Sequence, residues 1–150
     1  MTDLLKLRSS IAILLALGCQ AQQKPAPMVE EAVAPAYPAP ALSGRIAGSV
    51  MVDVRVSEQG AVIDAAVAEG DALLRQASLD AARLWRFQPQ PSAGGAKLIF
   101  SYRFMAKNTP EAQLGAVFRP PYWVEVRKIL PEPVSHIARN SSDAARQTIR

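Results

Sequence analysis

The side chains best suited to covalent or metal chemistry are scarce in this chain: one cysteine, Cys19, and one histidine, His136, stand near its opposite ends. A thiol nucleophile needs a base beside it, and a structural zinc site needs about four nitrogen or sulfur ligands. With Cys19 committed to an N-terminal leader, neither a Cys/His dyad nor a histidine-based metal site can be assembled. Glu30 and Glu31 form a carboxylate pair, but their Pro- and Ala-rich surroundings offer nothing to hold them in acid/base geometry. Gly94-Gly95 is an isolated loop signal without the remaining glycines of a phosphate-binding fingerprint. The residues therefore imply no enzyme, no cofactor and no metal.

Charge points elsewhere too. Seventeen basic and 13 acidic residues leave a formal charge of +4, spread without a like-charge run or aromatic-basic interleaving. A nucleic-acid backbone is tracked by clustered Lys and Arg, so this pattern argues against such a partner. The mild positive charge suits solubility or contact with an anionic membrane surface. With 49% hydrophobic and 20% charged residues the chain can form one core.

The elements that must position any site begin with a leader. Lys6 and Arg8 precede the apolar run Ile11–Gly18, which ends at Cys19. A basic start and a short apolar run make a secretory signal, and the run falls well short of the ~20 residues a bilayer span needs. Ala16-Leu17-Gly18-Cys19 resembles a bacterial lipobox, with Ala16 and Leu17 in reverse of the usual order. Cys19 is accordingly the candidate lipidation site and membrane anchor, within a leader covering 1–19. The alternative is an ordinary signal cut nearby, for instance after Ala21, which removes Cys19. Both routes export the chain. Residues 20–40 hold five prolines among Ala, Gln and Glu and read as an extended tether or a disordered leader.

The folded domain is expected over 41–105. Val50, Val52, Val54 and Val56 alternate with Met51, Asp53 and Arg55, which places the valines on one face of a strand. Ser57-Glu58-Gln59-Gly60 supplies a turn, and 62–67 reads as the returning strand. Asp71 can cap a helix in which Leu74, Ala77, Ser78, Ala81, Ala82 and Trp85 share a face. Pro89 ends that helix by residue 88. After a flexible turn at 92–95, Leu98, Phe100, Tyr102 and Phe104 share one face of a last strand, and Ile99, Ser101 and Arg103 the other. The expected fold is α+β in the order β-β-α-β, a three-stranded antiparallel sheet with one helix packed on it. Its core is the valine row, Leu74, Trp85, Phe87, Phe100 and Tyr102.

Tyr37-Pro38-Ala39, Gly48 with the valine row, Gly60-Ala61-Val62, the stretch Leu79–Pro89 containing Trp85-Arg86-Phe87, and Leu98–Phe104 occur in the order and spacing of the TonB C-terminal domain. Over 37–104 the chain resembles that family. The resemblance implies a periplasmic binding module for energy-coupled transport. Its partner would be an extended peptide of an outer-membrane TonB-dependent receptor, added beside the last strand. The edge residues so implied are Leu98, Ile99, Phe100, Ser101, Tyr102 and Arg103, with Ile99, Ser101 and Arg103 tuning peptide choice. An edge strand suits this because its N–H and C=O groups are unpaired; the same property permits a homodimer. The short leader departs from the family's spanning anchor. A lipid-anchored scaffold that keeps the fold without transducing energy is therefore the second reading.

Residues 106–150 extend beyond the resemblance. Val117-Phe118 with Tyr122–Val126 is expected to give one short strand, with Pro120-Pro121 barring helix before 122. Tyr122 and Trp123 would cover a face or an edge of the domain, and over the last strand's edge they would compete with a peptide. Residues 139–150 read as disordered or frayed helix.

Overall fold

The computed structural model describes residues 26–132; Cys19 and the leader, as well as His136 and the tail, lie outside the described residues. The expected β-β-α-β unit is present. Strand β2 (Gly48–Val56) turns through Ser57–Gly60 into β3 (Val62–Glu69), followed by helix α2 (Ala72–Leu84) and strand β5 (Gly94–Met105). Val50, Val52, Val54 and Val56 are all buried, while Asp53 and Arg55 are exposed, as their alternation requires. At Gly60 the backbone takes φ +85°, and a Cβ there would lie 1.8 Å from the Phe87 carbonyl oxygen. Only glycine fits that turn. Asp71 caps α2 by accepting from the Leu73 N–H at 2.8 Å.

Helix α2 packs on β2 and β3 through Leu74, Ser78, Ala81 and Ala82. Beyond it the core is aromatic: Trp85 lies 6.0 Å from Phe100 and 6.1 Å from Phe87, centroid to centroid. The Tyr102 hydroxyl donates to Ser78 Oγ (2.8 Å), and Ser78 spends its own proton on the Leu74 carbonyl. Burial pushes the Tyr102 hydroxyl up to about 12, with the Ser78 hydrogen bond acting the other way.

Two regions depart from expectation. The first is the stretch read as a tether. From residue 26 onward it is part of the domain: β1 (Val29–Glu31) pairs with the short β4 (Arg86–Phe87), and a short helix α1 (Ala39–Ser43) follows. Tyr37 is buried, stacks on Phe104 at 5.2 Å, and donates its hydroxyl to the Ile46 carbonyl. The Trp85 indole N–H donates to the Val33 carbonyl at 2.8 Å. Prolines keep this segment extended, while Val29, Val33 and Tyr37 supply the apolar contacts that hold it on the sheet.

The second region follows β5. A single 3₁₀ turn (Glu111–Gln113) leads into β6 (Gly115–Arg119), and β7 (Trp123–Ile129) returns beside it. Two strands thus form where one was expected, because Pro120-Pro121 separates them and makes the hairpin bend. Among the described residues the main sheet has five strands, in the order β3-β2-β5-β7-β6. Strand β5 is antiparallel to β2 and parallel to β7.

Candidate strand-addition edge

Strand β5 carries all six residues expected to form a peptide-binding edge, but it is an inner strand. On one side Gly48–Val56 pairs with Tyr102–Gly94; on the other, Ile99–Met105 pairs with Trp123–Ile129 in register. The expectation of a free edge at Leu98–Arg103 is corrected accordingly. Its physical cause is the amphipathic pattern of the extension. Val124 and Val126 face the core and are buried, so docking β7 on β5 hides apolar surface as well as pairing backbone groups.

The six residues divide by face. Leu98, Phe100 and Tyr102 point into the core and are fully buried. Ile99, Ser101 and Arg103 point to the opposite face, which none of the described helices covers. Ser101, expected to face solvent, is only 5% exposed. Its hydroxyl lies 2.8 Å from that of Ser49 and accepts from the Trp123 indole N–H at 3.0 Å. Of the three residues expected to tune a peptide, only Arg103 is well exposed.

On this back face β7 carries a charged cluster not anticipated from sequence. The Glu125 carboxylate is 3% exposed and accepts from Arg127 Nε at 2.7 Å, with Arg119 at 3.4 Å and Arg103 at 3.8 Å. The hydrogen bond from Arg127 holds the Glu125 pKa below its usual value; burial opposes this, and the charges of Arg127, Arg119 and Arg103 reinforce it. A buried carboxylate is tolerable here because it is paired and hydrogen-bonded. The alternation Glu125-x-Arg127 was the legible half of this cluster. Arg103 and Arg119 come from separate strands and needed the topology.

The front face near the same strands is apolar. Trp85 meets Phe118 of β6 at 5.9 Å, and Phe87 meets Tyr122 at 6.3 Å. The Tyr122 hydroxyl donates to the Pro27 carbonyl at 2.6 Å, tying the hairpin to the N-terminal segment. Among the described residues no group of three His, Cys, Asp or Glu side chains is placed to hold a metal ion. None of the described helices is long and apolar enough to cross a membrane. What this arrangement offers chemically is backbone pairing at a strand edge, flanked by an apolar face and a basic one.

Residues 33–105 match the family described as Gram-negative bacterial TonB protein C-terminal. The match ends at the last residue of β5, so the β6–β7 hairpin lies outside it. No curated protein matches the chain.

Proposed function

With residues 33–105 a member of the TonB C-terminal family, we propose that the chain is a TonB-like periplasmic module that captures an extended peptide of an outer-membrane receptor by strand addition. The observation that supports this most directly is the seating of β7. A strand from outside the family segment lies along β5 in parallel register from Ile99 to Met105, using the backbone pairing an incoming peptide would use. Capture at Leu98–Arg103 itself requires β7 to leave. Capture elsewhere requires another open edge. Anchoring through Cys19 would hold the module at a membrane and make transduction by a spanning helix unnecessary for binding.

The occupied β5 edge also favours a second reading, in which the same fold serves as a lipid-anchored envelope scaffold and captures nothing. Titrating the chain with N-terminal peptides of TonB-dependent receptors separates the two. Saturable, sequence-dependent heat of binding is expected from capture. Flat titrations across the whole peptide panel contradict it and leave the scaffold.

A further inference from the structure

With β5 filled, the outermost strand on that side of the sheet is β6, and among the described residues no strand pairs with its outer side. The Ile99 N–H bonds the Tyr122 carbonyl, so Tyr122 turns its backbone groups toward β5. Backbone direction alternates along a strand, which aims Trp123, Glu125 and Arg127 toward β6. Their partners there are Arg119, Val117 and Gly115. The remaining β6 residues, Ala116 and Phe118, therefore direct their N–H and C=O groups outward.

The two faces flanking this edge differ in kind. In front, Phe118 is 42% exposed and Met28 66% exposed, beside an apolar groove of about 390 Å³ lined also by Pro27, Pro120 and Tyr122. Behind, three arginines surround one carboxylate. Arg127 is committed to Glu125 by a short hydrogen bond, but Arg119 and Arg103 approach it only at 3.4 and 3.8 Å and are more than half exposed. Their guanidinium forks retain donors for a second carboxylate. A strand laid along β6 would send alternate side chains to these two faces.

Resting on the strand-capture reading, we infer that β6 is the docking edge for an extended peptide in which apolar and acidic residues alternate. The apolar residues enter the groove at Met28 and Phe118, and the carboxylates lie over Arg119 and Arg103. The opposite edge of the sheet, β3, carries Asp64 and Glu69 and repels such a peptide. A second copy paired β6 to β6 brings two basic clusters together, which disfavours it as the occupant.

The test is a titration of the full chain with a synthetic peptide of about nine residues alternating Glu and Val, long enough to span one strand. A Lys/Val peptide and a scrambled Glu/Val peptide serve as controls. Saturable binding is expected for the alternating Glu/Val peptide, weakening with salt, and about tenfold weaker or absent for both controls. The amide protons of Ala116 and Phe118 should become protected on binding, while those of β3 stay unchanged. Ala116→Pro removes an outward N–H at an exposed position without touching the β7 ladder. It should cut affinity about tenfold with an unchanged melting curve. Arg119→Gln should cut it several-fold and flatten the salt dependence, providing a second variant if the proline disturbs folding.

No binding of the alternating peptide overturns the inference. So does protection at β3 or β5 instead of β6, or self-association through β6. Receptor peptides that bind while the alternating peptide does not also overturn it, yet leave strand capture standing. The alternating peptide binding at β6 while every receptor peptide fails supports the inference and removes the receptor as partner.

Discussion

Strands β5 and β6 pose the same physical problem and meet it differently. Each has one side turned away from the β2–β3 hairpin, and each would present a row of unpaired N–H and C=O groups if left alone. On β5 the row is satisfied from within by β7, held by Val124 and Val126 in the core and Glu125 among three arginines. On β6 the row has no partner among the described residues, with an apolar groove on one side and basic residues on the other. The family segment therefore does not by itself determine which edge is available. The hairpin outside that segment moves the open edge two strands outward.

That contrast can be broken most severely at Trp85. It is fully buried and touches Phe87 and Phe100 of the family segment as well as Phe118 of the hairpin. Trp85→Ala should cost ~3–5 kcal/mol, enough to abolish or sharply lower the cooperative melt. An unchanged melt would mean that the two regions do not share a core.

Val126 tests the latch on β5 more locally. Val126→Ala removes two buried methyl groups from β7 and should cost ~2 kcal/mol by denaturant titration. Most of the loss should register as faster exchange at β5 and β7 amides, with β2 amides least affected.

Glu125 sharpens the electrostatic side of the comparison. Its folded pKa lies below its unfolded value near 4.5, so its contribution is fully present above that pH and is lost as pH falls through the folded value. Glu125→Gln should cost ~1–3 kcal/mol at neutral pH and flatten the acid limb of the stability profile. A steeper acid limb in the variant would contradict the assigned sign.

Tyr102 gives the smallest effect. Its pKa is raised from 10.0 to about 12, so its contribution is complete below pH 10 and is lost as pH rises toward 12. Tyr102→Phe should cost ~1 kcal/mol and remove that alkaline loss, as read from melting temperatures across pH 9–12.

Much of this was legible in the residues. The valine alternation, the Asp71 cap, the turn at Gly60 and the Trp85-Arg86-Phe87 signature fixed the β-β-α-β unit, since each is a local preference that tertiary packing reinforces. Over residues 26–40 the prolines signal extension, and extension suits a packed cover strand as well as a tether. Val33 and Tyr37 were the apolar residues that distinguish them. The extension showed a strand near Trp123, but its parallel pairing to β5 is a long-range choice that no local pattern encodes. For the same reason Leu98–Arg103 form the expected strand but lie inside the sheet rather than at its border. Ser101 illustrates the point. Its alternation put it on the uncovered face, and its burial came from Trp123 on a strand 22 residues away.

Amide hydrogen exchange compares the two strands directly. Ile99, Ser101 and Arg103 turn their N–H groups toward β7, whereas Ala116 and Phe118 turn theirs to solvent. This arrangement predicts slow exchange at the three β5 amides, comparable to that of the inner strand β2, and fast exchange at the two β6 amides. Exchange at Ile99, Ser101 and Arg103 as fast as at Ala116 and Phe118 would show that the β5 edge is open, and would contradict it.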